Sequence, residues 1–181
     1  MLVPLILVAG LYDQTMPSCR DCNYKIKAAF NADRSFIEKI ESALPDGSAV
    51  YQLPYMPFPE THPLYLLSDY SLLIGFLHSR SLHWSYGGMK GRQGDLFYRA
   101  LAQQTIEKQI DVVRRLGFSG IYVDRRGFEN NGDQMIEQLT HLIGPPTLVR
   151  NDGEIDFFII PGAYTVNLKG LNDVQIIQKA N

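Results

Sequence analysis

Hydrophobic residues occur in short runs separated by polar stretches, a pattern that predicts an α/β fold. Runs typical of buried strands cover residues 48–54, 118–123 and 155–160. Between the first two, residues 95–116 repeat apolar positions at helical spacing, with Asp95 as the expected N-cap and Gly117 as the stop. Strands that alternate with helices favour a sheet with helices packed on it.

Shorter segments complete the predicted fold. Helices are expected at residues 33–44, 68–76 and 132–142, and a strand is expected at 81–86. Asp33 or Ser35 is the expected N-cap of the first of these helices. Residues 147–150 and 155–160 predict an antiparallel hairpin across Asn151-Asp152-Gly153. The fold class is therefore α/β, with a mixed sheet and a C-terminal antiparallel hairpin. Short β-like pieces follow at 164–168 and 174–177.

Three regions are distinguished along the chain. Residues 1–12 are apolar, residues 13–32 form a polar arm with the cysteines, and residues 33–181 form a single α/β domain. The apolar segment is shorter than the roughly 20 residues that cross a bilayer. It also lacks the basic start of a signal peptide. It is compatible either with a buried strand or with the end of a membrane helix.

Composition limits the function classes. The net charge of −2 argues against a general nucleic-acid binder, which normally has a basic excess. The four histidines are scattered and the two cysteines lack a second ligand pair, so no metal site is expected. Cys19 and Cys22 predict a small disulfide loop if the domain lies outside the cytoplasm, and free thiols if it does not.

Dense polar chemistry lies in the stretch from Trp84 to Arg92, where the strand expected at 81–86 enters a glycine-rich loop. Lys90 and Arg92 are on a loop with glycines at 87, 88, 91 and 94, and such loops can hold a phosphate. The spacing fits neither a Walker A loop nor a dinucleotide fingerprint, so no cofactor is expected. The alternative is a structural loop in which Arg92 pairs with Asp124 or Glu60.

A second candidate group contains carboxylates. Glu60 and His62 are on a proline-rich loop after one strand, and Asp124 and Arg125 follow another. Residues just past a strand's carboxyl end are common ligand positions in α/β folds. Glu60 and Asp124 are candidates for the acid pair of a glycoside-cleaving enzyme. The alternatives are a surface connector for Glu60 and a structural salt bridge for Asp124.

Several segments resemble a known group of bacterial proteins. They are QLPYMPFPE at 52–60, WSYGGMKGR at 84–92 and GFSGIYVDRRGF at 117–128, together with GLYDQT at 10–15. They are similar to the C-terminal extracytoplasmic region of polytopic membrane sugar transferases of the GT-C-like type and of phosphoglycerol-transferase-like proteins. The resemblance extends from Val8 to about Pro161.

This resemblance implies a periplasmic domain in surface polysaccharide or lipid-linked sugar metabolism, partnered by the membrane-embedded part of the same protein. The family's catalytic acid lies between early membrane helices, so no catalytic residue is carried over and turnover by the isolated domain is not expected. The candidate surface for a glycan or phosphate comprises Trp84, Tyr86, Lys90, Arg92, Asp124 and Arg125. The competing hypotheses are a stand-alone carbohydrate-active enzyme using Glu60 and Asp124, and a purely structural interaction domain.

Overall fold

The computed structural model describes residues 2–14 and 20–162. The chain divides into two compact units, of which the first ends at Ser35 and the second begins at Phe36. The predicted β-like pieces at 164–168 and 174–177 lie outside the described residues.

The apolar N-terminal segment is a helix, α1 (Leu2–Gln14), so the strand alternative for residues 1–12 is wrong. Its apolar side chains are exposed around the helix, including Val3, Leu5 and Leu11. A buried strand would need partners on both sides, whereas a helix satisfies its own backbone groups without any. Within residues 2–14 and 20–162, no helix combines the length and apolar character needed to cross a bilayer.

Helix α2 (Arg20–Ala43) begins much earlier than the predicted start at Asp33. Residues 20–32, interpreted as part of a polar arm, are therefore helical, and neither Asp33 nor Ser35 is an N-cap. The sequence signal was confined to the stripe of Phe36, Ile37 and Ile40, which are buried in the second unit. Solvent-exposed helical residues need no apolar periodicity, so the first turns gave no such signal.

The second unit is built on a five-stranded mixed sheet in the order β2-β1-β3-β5-β4. The strands are β1 (Ala49–Leu53), β2 (His83–Trp84), β3 (Phe118–Asp124), β4 (Leu148–Val149) and β5 (Ile155–Ile159). Strand β1 is parallel to β2 and β3, and β5 is antiparallel to β3 and β4. The predicted mixed sheet with a C-terminal antiparallel hairpin is confirmed.

Both faces of the sheet are buried, because side chains alternate along each strand. The remaining helices are α3 (Ile74–His78), α4 (Gln93–Leu101), α5 (Ile106–Arg115) and α6 (Asp133–Ile143). Ile121 and Val123 face one core, where they pack with residues of α4, α5 and α6. Tyr122 faces the other core, with residues of α2 and of the segment around α3. Helices on both faces explain why β3 reads as a nearly continuous apolar run.

The single helix predicted over residues 95–116 is two helices, α4 and α5. Thr105 interrupts it, because its side chain caps α5 and accepts a hydrogen bond from the Lys108 backbone N–H at 3.4 Å. Asp95 is not the N-cap of α4, which begins two residues earlier, at Gln93. The predicted stop at Gly117 is confirmed by its positive φ of 85° directly after the last turn of α5.

Candidate functional site

The parallel strands bring three loops to one edge of the sheet. Because β1, β2 and β3 run in the same direction, their carboxyl ends lie side by side. The proline loop (54–63) follows β1, the glycine loop (85–94) follows β2, and the Asp124 turn (124–128) follows β3. The sequence placed candidate residues on all three loops, and the topology makes the loops neighbours.

Asp95 organises the glycine loop from inside. Its side chain is 1% exposed and accepts hydrogen bonds from the Gly91 backbone N–H at 2.8 Å and from the Arg99 guanidinium at 2.8 Å. It also accepts the hydroxyl hydrogen of Tyr55 from the proline loop. Burial raises the pKa of Asp95, but the bonds from Tyr55 and Gly91 and the charge of Arg99 outweigh it and hold the pKa below its usual value. The loop is therefore fastened by a buried carboxylate.

The proline loop and the glycine loop are joined directly. The Phe58 carbonyl accepts a hydrogen bond from the Lys90 backbone N–H at 2.8 Å. The backbones of Phe58 and Met89 thereby pair as a single parallel β-bridge. The Phe58 ring makes edge contacts with the rings of Tyr70 and Tyr86, with centroids 6.0 and 5.8 Å apart. These contacts fix the relative position of the two loops.

A narrow cleft with a cavity volume of about 20 Å³ lies between the loops. That space holds one or two water molecules. Aromatic and polar side chains of β1, the two loops and α4 line it, among them Tyr51, Gln52, Tyr86 and Tyr98. The Gln52 side chain donates to the Leu72 carbonyl at 2.7 Å and accepts from the Tyr86 backbone N–H at 3.0 Å. A sugar ring does not fit inside, so a glycan would have to lie across the loops.

The tyrosines of the cleft are in their neutral form at physiological pH. Burial raises the pKa of Tyr98 to about 12 and moves that of Tyr51 further in the same direction. Tyr51 donates its hydroxyl hydrogen to the Gln109 side chain at 2.9 Å, so this hydroxyl already has a protein partner. Burial also raises the pKa of Tyr86. These hydroxyls are therefore suited to hydrogen bonding and not to acting as bases.

Trp84, predicted as a ligand-facing residue, is partly buried and packs against the core of the second unit. Its ring makes an edge contact with Tyr122 at 5.7 Å between centroids, and it leaves no room for a side chain at Gly75. Its indole N–H is buried and has no hydrogen-bond partner in the described part of the chain. The tryptophan therefore acts as a packing residue between α3 and the sheet.

Asp124 forms a buried ion pair with its close neighbour Arg126. The Asp124 side chain is 0% exposed, and its two oxygens accept from the Arg126 guanidinium at 2.9 and 2.7 Å. The hydrogen bond to Asp124 raises the pKa of Arg126 further above its ordinary value. The predicted alternative of a structural salt bridge for Asp124 is thus observed, but its partner is Arg126 and not Arg92. A carboxylate without exposed surface cannot reach a glycan as the partner of Glu60.

Arg125 is also held by internal contacts. It pairs with Asp156 at 3.2 Å and with Asp133, and it donates to the Asn131 carbonyl at 2.8 Å. Burial raises the pKa of Asp156, and the charge of Arg125 opposes that shift. Together with the contacts of Arg150 to Asp152 and Glu154, this network ties the β4–β5 hairpin to the end of β3. Arg125 is therefore a structural residue of this edge.

The exposed members of the predicted set are Lys90, Arg92 and Glu60. Neither Lys90 nor Arg92 has an acidic group within ion-pair distance among the described residues. His62 is likewise exposed on the proline loop. The structure thus separates the predicted set into packed or paired residues and three exposed charged residues, of which Lys90 and Arg92 are on the glycine loop and Glu60 is on the proline loop. Tyr86 is half-buried and lines the cleft.

Sequence reasoning missed the group of Tyr55, Asp95 and Arg99. The Asp95–Arg99 spacing of four residues along a helix was visible in the sequence, but the partnership with Tyr55 joins residues forty positions apart.

For metal ions, residues 2–14 and 20–162 contain no cluster of three or more His, Cys, Asp or Glu side chains. Cys19 is outside the described residues, and with it the predicted disulfide to Cys22.

Comparisons with protein-family profiles, curated proteins and solved structures find no match.

Proposed function

We propose that this chain is an extracytoplasmic, periplasmic domain of a membrane glycosyltransferase-like protein in surface polysaccharide or lipid-linked sugar metabolism. In this role it presents the glycine loop to a glycan that carries a phosphate. The observation that supports the proposal is the pair of exposed cations, Lys90 and Arg92, at the sheet edge where three loops meet. Cations without an internal carboxylate are available to an anion, and charge-assisted bonds to phosphate are among the stronger polar contacts.

The surroundings of these cations suit a binding role more than catalysis. Asp95 and Phe58 hold the glycine loop in place, so the loop is arranged before a ligand arrives. Asp124 is buried against Arg126, which leaves Glu60 as the exposed carboxylate of the proposed acid pair. We therefore assign the domain to binding, and any sugar transfer to another part of the protein.

Membrane association is part of the same proposal. Helix α1 is apolar around its circumference and exposes those side chains, an arrangement that favours an apolar environment. This supports a position beside the membrane-embedded part of the protein, as the sequence resemblance implies.

The test is an NMR titration that measures direct binding of glucose 1-phosphate. Glucose and inorganic phosphate are titrated separately for comparison. We expect a Lys90→Ala/Arg92→Ala variant to bind the sugar phosphate at least tenfold more weakly than the unsubstituted chain, because two charge-assisted contacts are lost. The control is Lys39→Ala/Lys108→Ala, which removes the same charge from exposed positions on α2 and α5. Equal weakening in both variants, or no binding by the unsubstituted chain, would contradict the proposal.

A structural role for the Asp124 turn is compatible with this function. The ion pairs of Arg125 with Asp156 and of Arg126 with Glu154 connect the end of β3 to the hairpin of β4 and β5, and the pair of Arg150 with Glu154 closes the hairpin itself. This part of the edge would fix the positions of the three loops, and the glycine loop would contact the ligand.

A further inference from the structure

The cleft between the proline loop and the glycine loop is a polar space that is too small for a sugar ring. Its cavity volume of about 20 Å³ corresponds to one or two water molecules. A hydroxymethyl group has as many non-hydrogen atoms as a pair of water molecules. The volume therefore suits a short substituent of a ligand whose ring lies outside the cleft.

The cleft opens at the glycine loop. Among the residues that line it, Gly87 and Gly88 are exposed, whereas the others are buried or half-buried. Gly88 precedes Lys90 by two residues, so the Cα atoms of these two residues are at most about 7 Å apart. A ligand that contacts the exposed cations therefore lies next to the opening of the cleft.

The Gln52 side chain has unused hydrogen-bonding capacity at the cleft. A side-chain amide has two donor hydrogens and two acceptor lone pairs. One hydrogen is donated to the Leu72 carbonyl and one lone pair accepts from the Tyr86 backbone N–H, and both of these partners also line the cleft. No contact with another described residue uses the remaining hydrogen and lone pair. Gln52 is 2% exposed, so a ligand group that satisfies this amide would be favoured.

The Ser85 hydroxyl provides a second donor in the lining. Its oxygen accepts a hydrogen bond from the Gln52 backbone N–H at 2.8 Å. Its own hydrogen has no acceptor in the described part of the chain. Because a hydroxyl group both donates and accepts, one ligand hydroxyl can donate to the Gln52 amide oxygen and accept from Ser85.

The charge of the lining favours a neutral substituent. Asp95 is the one charged residue among the described residues that line the cleft. Its carboxylate already accepts hydrogen bonds from Tyr55, Gly91 and Arg99. A phosphate inside the cleft would lie near this carboxylate without a cation in the lining, and burial of an unpaired charge is costly. The cleft and the exposed cations are thus suited to different parts of one ligand.

We infer that the cleft is a specificity subsite for the exocyclic hydroxymethyl group of a hexopyranose, with Gln52 and Ser85 as the residues that bond to its hydroxyl. This hydroxyl would displace water from the cleft and replace its hydrogen bonds. A pentopyranose lacks the group and would leave the cleft to water. The inference rests on the proposed function, in which the ligand is a glycan, and it adds the class of sugar that the site selects.

The experiment is an NMR titration of the full chain with methyl β-glucoside and methyl β-xyloside, which differ in the hydroxymethyl group alone. The signals followed are the side-chain amide of Gln52 and the backbone N–H of Tyr86. We expect methyl glucoside to shift both signals, and methyl xyloside at equal concentration to shift them less by roughly threefold or more. Equal shifts with the two glycosides, or no shift with either, would overturn the inference.

Ser85→Ala removes one of the two bonding groups without filling the cleft. It should weaken the binding of methyl glucoside by about fivefold, the usual effect of one neutral hydrogen bond, and leave that of methyl xyloside unchanged. The control is Ser42→Ala, which removes an exposed hydroxyl from α2 and should alter neither. Equal weakening of both glycosides in Ser85→Ala would contradict the role of this hydroxyl, and the comparison on the unsubstituted chain does not depend on the variant.

The two proposals fail separately. Neither glycoside carries a phosphate, so this titration does not depend on Lys90 and Arg92. The proposed function is tested instead by the effect of the charge variants on glucose 1-phosphate. Equal shifts with the two glycosides would therefore remove the hydroxymethyl subsite alone.

Discussion

The buried carboxylate of Asp95 accepts the hydroxyl hydrogen of Tyr55, and this bond joins the first turn of α4 to the proline loop that follows β1. The same carboxylate also holds the Gly91 backbone N–H and the Arg99 guanidinium. One side chain thereby links two of the three loops at the carboxyl edge of the sheet. Its loss should affect both stability and the arrangement of Lys90 and Arg92.

Asp95→Asn should destabilise the fold at neutral pH by about 1.5–3 kcal/mol, the usual contribution of hydrogen bonds to a charged group. The folded-state pKa of Asp95 is lowered, so its charged form stabilises the fold above the ordinary aspartate pKa. This stabilisation is lost as pH falls through the folded-state pKa. The difference between the unsubstituted chain and the variant, measured by urea unfolding, should therefore shrink as pH falls below about 4.

The matched control for this prediction is Glu137→Gln, which removes a negative charge from an exposed position on α6. Its unfolding free energy should change by no more than about 0.5 kcal/mol at neutral pH. A pH-independent loss of stability in Asp95→Asn would contradict the role assigned to the carboxylate charge.

Glu41 anchors the end of α2 to the segment before β2. One carboxylate oxygen accepts from the backbone N–H groups of Arg80 and Ser81 at 2.6 and 2.7 Å and from the Ser81 hydroxyl at 3.1 Å. The backbone bond from Ser81 is the main cause of the lowered pKa of Glu41. Glu41→Ala should cost about 1.5–3 kcal/mol in unfolding free energy. Glu41→Gln should cost less, since an amide oxygen still accepts.

Glu38→Ala on the same helix serves as the comparison for Glu41, because Glu38 is exposed. Thermal unfolding by circular dichroism should rank the stabilities as Glu38→Ala above Glu41→Gln and Glu41→Gln above Glu41→Ala. A Glu41→Ala variant as stable as Glu38→Ala would show that this anchor does not contribute.

Gly75 is required by the packing of Trp84. A Cβ at Gly75 would lie 2.4 Å from the Trp84 ring, so Gly75→Ala must displace the ring or the helix. We expect a loss of about 1–3 kcal/mol from overpacking. Because Trp84 is the single tryptophan, its fluorescence emission should shift as the ring moves.

Gly94→Ala is the appropriate control, since a Cβ at that position in α4 meets no atom within 4 Å. It should be neutral or stabilising by up to about 1 kcal/mol, because alanine favours helix more than glycine does. Unchanged stability and emission in Gly75→Ala would refute the close packing.

Asp124→Ala should be the most destabilising of these substitutions, at about 3 kcal/mol, because it removes both close contacts of the partly buried Arg126 and leaves it only the more exposed Glu154, at 3.4 Å. Arg92→Ala should change the unfolding free energy by less than about 0.5 kcal/mol, since Arg92 is exposed. Urea unfolding of the two variants distinguishes the observed pair from the alternative in which Arg92 is the partner of Asp124. Comparable losses in the two variants would favour that alternative.

The sequence predicted those elements that are specified by residues close together in the chain. The hairpin across Asn151–Gly153 and strand β3 were predicted because turn residues and a buried apolar run are local features. The interruption at Thr105 and the early start of α2 were missed. A helical period continues across a short break, and an exposed helix has no apolar period to detect.

For the candidate site, the sequence located the three loops that follow the strands, because strand ends, prolines and glycines are readable along the chain. The contacts of the candidate residues came from the fold: Arg126 for Asp124, Tyr55 for Asp95 and Tyr122 for Trp84. Pairing in space depends on strand order and side-chain direction, which bring together residues far apart in the chain. A residue's type restricts the partners that it can accept, but the fold selects among them.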